Sequence, residues 1–101
     1  METVLNLGEI ETVRPDALFS ADYPKEDVLK RIEDKRVRRV NLDKAITLGK
    51  SAKIRTRLVF RTTEGYKNIA CIVHAQNEKG ITIEGDHFIP MHVIYTVDML
   101  S

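Results

Sequence analysis

The stretch KIRTRLVFRTTEG, residues 53–65, constrains the fold of this chain more than any other. Ile54, Thr56, Leu58 and Phe60 share one parity; Lys53, Arg55, Arg57, Val59 and Arg61 share the other. Side chains alternate across a strand but recur every 3.6 residues on a helix, so the run predicts a strand with one apolar and one basic face. Glu64-Gly65 is a turn signal, and YKNIACIVHAQ reads as the returning strand. Asn77 to Gly80, NEKG, makes the next turn; ITIEGD is a short strand, and HFIPMHVIYTVDM completes an antiparallel meander. Pro90 has no N–H to give a central ladder and marks an edge or a break between the last two strands, where small barrels often place a tight helical turn. Phe88, Ile89, Val93, Ile94 and Val97 are the expected core contacts of this closing segment, with His87 capping the turn at Gly85-Asp86 and His92 bonding backbone at the strand break. The expected fold is mainly β: a small antiparallel barrel of the Sm-like or SH3-like kind, or a strongly bent sheet, with one N-terminal α-helix.

That helix is expected over residues 24–35. Pro24 suits the first helical position and Glu26 and Asp27 the first turn. Val28, Leu29 and Ile32 form a one-sided apolar stripe, and Lys30, Arg31, Lys35 and Arg36 crowd the C-terminal end. Beyond Val37 the period changes. Val40, Leu42, Ile46 and Leu48 share one parity, broken by Lys44 and ended by Gly49, which predicts a further strand. Residues 1–20 read as an N-terminal arm or edge strand, and residues 21–101 as a single small β-barrel domain. At 101 residues, 43% of them hydrophobic, the chain can bury one core without metals or cross-links. Cys71 is the lone cysteine, so no internal disulfide forms, which fits a reducing compartment. The N-terminus has neither the basic start nor the apolar core of a signal peptide, and no run matches a bilayer's thickness. The expectation is a cytoplasmic protein with no membrane partner.

The segment FRTTEGYKNIACIVHAQNEKGITIEGDHFIPMHVIYTV resembles a family of small uncharacterised bacterial proteins. These pair a short amphipathic N-terminal helix with a strand ending T-T-E-G, a meander, and a closing I-P-x-H-x-I element, here Ile89 to Ile94. The match covers residues 24–98, and what it implies is the fold, not an activity. PilZ domains, small barrels that bind a cyclic dinucleotide, offer a second resemblance. They place arginines just before the first strand, as Arg36, Arg38 and Arg39 stand here. Their D/N-x-S-x-x-G motif has its nearest counterpart in Ala75 to Gly80, where the spacing to glycine survives but Ala75 and Asn77 replace the reading side chains. That resemblance implies a nucleotide-binding barrel as an alternative.

The net charge of +1 hides an asymmetry. Residues 1–29 hold seven acids against two bases, −5; residues 30–61 hold twelve bases against three acids, +9; residues 62–101 hold five acids against two bases, −3. Nucleic-acid affinity rests on phosphate neutralisation, and a row of cationic side chains along a strand can track a phosphate backbone. The candidate anion-binding set is therefore Lys53, Arg55, Arg57 and Arg61 on the basic strand, with Arg36, Arg38 and Arg39 at the helix-to-strand junction. Single-strand binders usually add stacking aromatics, and near this strand only Tyr66 supplies one. The basic set reads either as a solvated sheet face paired with acids of the N-terminal third or as a surface for RNA or single-stranded DNA; the competing reading of the whole protein is a protein–protein or self-assembly module forming a homo-oligomer.

Other chemistries lack their parts. His87 and His92 are five residues apart, and His74 and Cys71 three, spacings that match no zinc signature. Cys71 sits mid-strand among apolar residues, the setting of an inert thiol. Ser20, Ser51 and Ser101 carry no nucleophile elbow, and no glycine-rich loop is present to cradle a phosphate. The expectation is a protein that is not an enzyme and carries no metal or cofactor.

Overall fold

Seven strands and one long helix organise residues 10–100, the part of the chain that the computed structural model describes. In chain order they are β1 (Glu11–Thr12), α1 (Ile32–Ala52), β2 (Thr56–Thr62), β3 (Gly65–Cys71), β4 (Val73–Gln76), β5 (Gly80–Ile83), β6 (His87–Pro90) and β7 (Ile94–Met99). Short 3-10 turns occupy Pro15–Ser20, Glu84–Asp86 and Met91–Val93. One sheet runs β1-β3-β2-β7 and the other β4-β5-β6; β1 pairs parallel to β3, and every other pairing is antiparallel. Both sheets are open rather than closed into a barrel. The chain crosses between them at Ile72, the single residue separating β3 from β4. Its N–H donates to Glu84 Oε1 and its carbonyl accepts from the Glu84 N–H, so one acid ties the bend on both sides.

The turns lie where the sequence puts them, but YKNIACIVHAQ, expected as one returning strand, is divided at Ile72 into β3 and β4, which belong to different sheets. Thr62 pairs with Gly65 across a two-residue turn, and Thr62 Oγ1 both accepts from the Glu64 N–H and donates to the Gly65 carbonyl. Asn77 Oδ1 accepts from the N–H groups of Lys79 and Gly80, closing the second turn. Pro90 ends β6, and the Met91–Val93 turn separates it from β7.

The helix is in a different place. Residues 24–31 are not helical, and α1 begins at Ile32. Two donors that a helix at 24–35 would have used internally are taken elsewhere. The Val28 N–H donates to the His92 carbonyl at 2.9 Å, and the Leu29 N–H to Asp27 Oδ1 at 2.8 Å. A carboxylate accepting from a backbone two residues on stabilises a turn at the helix's expense.

The strand expected from Val40 to Leu48 is also helix. The stripe that α1 buries is Arg38, Leu42, Ala45 and Gly49, spaced four, three and four residues apart, whereas Val40 keeps 51% of its surface exposed. Two of the four buried positions, an arginine and a glycine, do not count as hydrophobic, so the helical period is hidden in any hydropathy pattern. Gly49 is there for approach: a Cβ on it would stand 3.0 Å from Ile72 Cγ2 and 3.4 Å from the Val73 carbonyl. Glu33 and Asp34 in the first turn and Lys50 in the last complement the helix dipole.

α1 ends at Lys53, which is held in the left-handed region (φ 52°, ψ 35°) while its N–H and that of Ile54 both donate to the Leu48 carbonyl. A side chain costs about 1 kcal/mol or more there, and glycine is the usual occupant. Lys53→Gly is therefore expected to raise the unfolding free energy by roughly 0.5–1 kcal/mol in urea denaturation. A variant no more stable than the parent would mean that the left-handed cap is relaxed in solution.

The core lies between the sheets and under α1, with Leu42, Leu58, Phe60, Ile69, Ile81, Ile83, Ile89, Val93 and Ile94 all but fully buried. Val97 is partly buried against it. Phe88 is not a core residue: β6 pairing sets it opposite Thr82 on the parity away from Ile89, and it stays 45% exposed. His87 takes the inward parity instead, stands at the C-cap position of the Glu84–Asp86 turn as expected, and packs edge-on against Phe19, ring centroids 4.6 Å apart.

Candidate nucleic-acid interface

β2 presents Thr56, Leu58, Phe60 and Thr62 to the core, all buried, so Arg57, Val59 and Arg61 face outward. Register extends this outer face sideways. Arg57 lies opposite Ala70 and Asp98, Val59 opposite Asn68 and Thr96, and Arg61 opposite Tyr66. Thr12 of β1 joins through its Oγ1 hydrogen bond to Asn68 Oδ1. Val59 is fully buried although it shares the outer face.

The seven sequence-derived bases do not converge. Arg57 and Arg61 alone share this face. Arg55 precedes the strand and turns to Glu84 at 2.8 Å and the Ala70 carbonyl at 3.3 Å. Lys53 caps α1. Arg36 and Arg39 stand exposed on α1, far in sequence from any strand start, because the helix continues through the expected junction.

Arg38 is buried and committed. Its two terminal nitrogens meet both oxygens of Asp27, at 3.0 and 2.9 Å, and Nη1 also donates to the Ile94 carbonyl at 3.0 Å. Burial pushes the Asp27 carboxyl up, but hydrogen bonds from Arg38 and the Leu29 N–H, with the charges of Arg38 and Lys35, hold it below its ordinary value. This pair anchors the segment before α1 to β7.

What sequence reasoning missed is Tyr95. Strict alternation would place it on the inward side with Val97, which opposes Leu58. The β2–β7 register shifts between Val59 and Phe60: Thr96 opposes Val59, Ile94 opposes Phe60, and Tyr95 is the extra residue. Such a bulge re-aims a side chain. The Tyr95 ring meets Tyr66 at 5.5 Å in an edge arrangement, and the Arg61 guanidinium lies 5.1 Å from the Tyr66 centroid. Two aromatic rings and a stacked cation thus sit together over β2, with Arg57 further along the same strand.

His92 Nε2 lies 2.6 Å from the Pro24 carbonyl, fastening the strand break to the segment ahead of α1. Cys71 is fully buried; burial and, secondarily, the charge of Glu84 push its thiol up to about 12, so it is protonated at neutral pH. Among the described residues no three His, Cys, Asp or Glu side chains come together as metal ligands, and no helix is long and apolar enough to cross a membrane.

No family model matches the chain, and comparison with curated proteins and with solved structures found no match.

Proposed function

We propose that this protein is a non-enzymatic, cytoplasmic binding module, an opened small barrel of the Sm-like or SH3-like kind, that holds single-stranded nucleic acid on its outer sheet face. The observation that carries the reading is the Arg61–Tyr66–Tyr95 group beside Arg57. Unpaired bases stack on aromatic rings and on guanidinium planes, and arginine neutralises the phosphates between them. A duplex, whose bases are already stacked, gains nothing from such rings. The bend at Ile72 and the turn after Pro90 support the small-barrel reading, since both let short strands double back over one core.

Fluorescence anisotropy with short single-stranded RNA and DNA tests the proposal. Affinity is expected to fall with salt by a slope of about −0.7 per phosphate neutralised on a log–log plot. Tyr66→Ala is expected to cost about 1–3 kcal/mol of binding, and Arg57→Glu with Arg61→Glu to lower affinity tenfold or more, roughly. Arg36→Glu, on the helix, is expected to leave binding near the parent's. No binding at low salt, or binding indifferent to the paired reversal on β2, would sink the reading.

A further inference from the structure

Among the described residues five large hydrophobic side chains are exposed, and three of them, Ile32, Val37 and Val40, belong to α1. Val40 lies opposite the stripe that α1 buries and Val37 on its flank, and both belong to a longer run of exposed positions. Glu33, Val37, Val40, Lys44, Thr47 and Ser51 follow one another at spacings of four, three, four, three and four residues. These positions share one face of α1, a seam whose apolar part is short: Val37 and Val40, flanked by Glu33 and Lys44. All six positions are exposed. Glu33 has a single solvent-exposed ion pair, to Arg31 at 3.5 Å, and no ion pair occupies Lys44 among the described residues.

We infer that this seam is a self-association surface on which α1 packs antiparallel against α1 of a second copy of this chain. The charge order selects that occupant. With a two-fold axis between Val37 and Val40, Val37 meets the partner's Val40, and Val40 meets the partner's Val37. The same axis sets Glu33 against the partner's Lys44 and Lys44 against the partner's Glu33. A two-fold contact must be complementary to itself, and these four positions are. Parallel pairing would oppose Glu33 to its own copy and Lys44 to its own copy, and like charges at such positions are unfavourable. A nucleic acid or an anionic lipid surface would complement Lys44 but meet a like charge at Glu33, at the N-terminal end of the seam. The seam adjoins the nucleic-acid face, since Val37 of α1 and Tyr95 of β7 line one groove, but the inference does not rest on that reading: self-association is read without nucleic acid present.

Sedimentation velocity of the full chain over a concentration series is the measurement, with circular dichroism as the check on folding. The parent is expected to show a monomer–dimer equilibrium. Each of E33K and K44E turns both symmetric pairs repulsive and is expected to weaken the dimer roughly tenfold. Mixing E33K with K44E restores both pairs in a heterodimer, so the mixture is expected to associate more tightly than either variant alone, and the double variant E33K/K44E to return near the parent. V40D is expected to be monomeric. A parent that stays monomeric at the highest concentration overturns the inference, as does a dimer that survives V40D or a mixture of E33K and K44E that gains nothing.

Discussion

Replacing Asp27 with alanine is expected to destabilise the fold by about 3–5 kcal/mol, because it leaves the buried guanidinium of Arg38 without its counter-charge. The Arg38 side chain is 5% exposed and that of Asp27 23%, so solvent cannot substitute for the lost carboxylate. Nε of Arg38 already lacks a hydrogen-bond partner, which leaves the group little slack. Removing Asp27 also frees the Leu29 N–H and loosens the segment that leads into α1. Arg38→Met is expected to cost less. It removes the charge that must be compensated and leaves Asp27 able to reach water. Urea denaturation of both variants gives the comparison, and equal stabilities would contradict this account of the pair.

The same pair sets part of the acid response. The folded-state pKa of Asp27 lies below its ordinary value of 3.8. Stability linked to it is therefore fully present above that value and is lost as pH falls through the folded pKa. Asp27→Asn keeps an acceptor for the Leu29 N–H but cannot titrate. Its unfolding free energy is expected to fall less steeply than the parent's on acidification below about pH 4. Parallel pH curves for the two proteins would show that Asp27 carries no such linkage.

Gly80→Ala is the second large effect. A Cβ at Gly80 would collide with the Ile89 carbonyl oxygen and stand 2.6 Å from Phe88 Cζ and 2.9 Å from Pro90 Cα. Two of those atoms are backbone of β6, which pairs with β5 directly here, Gly80 opposite Pro90. Relief requires β5 and β6 to separate, with loss of the Met91 N–H bond to the Lys79 carbonyl alongside. The expected cost is roughly 3 kcal/mol or more, at the upper end of overpacking effects. Gly49→Ala makes an instructive comparison: its nearest contact is a side-chain methyl at 3.0 Å that can move, so its cost is expected to be smaller. A Gly80→Ala protein as stable as the parent would mean that the β5–β6 crossing is wider in solution.

Gly80 also shows where sequence reasoning runs short. NEKG identifies the turn correctly, but nothing in those letters says that a strand backbone presses on its last residue. The outer sheet face divides in the same way. Arg57, Arg61 and Tyr66 are legible from alternation and the Glu64-Gly65 turn, since a hairpin sets register locally. Tyr95 joins them through a bulge between strands more than thirty residues apart in sequence, and its own neighbours do not mark it. Arg38, grouped by sequence with Arg36 and Arg39, leaves that group because Asp27 and the Ile94 carbonyl are there to receive it.

By itself, then, the sequence determined what depends on neighbours along the chain: the alternating strands, the turns at Glu64-Gly65 and Asn77 to Gly80, and the break after Pro90. Those features follow from backbone period and from residues that make or refuse local hydrogen bonds. Only the tertiary structure decided where the helix lies, which bases stay free, and that Tyr95 faces outward. Each of these turns on a partner distant in sequence: the β3–β4 bend that accepts Gly49, the carboxylate that takes Arg38, and the β2 register that displaces Tyr95. A periodic pattern records which residues can share a face. Which face is buried, and against what, is settled by contacts the pattern does not contain.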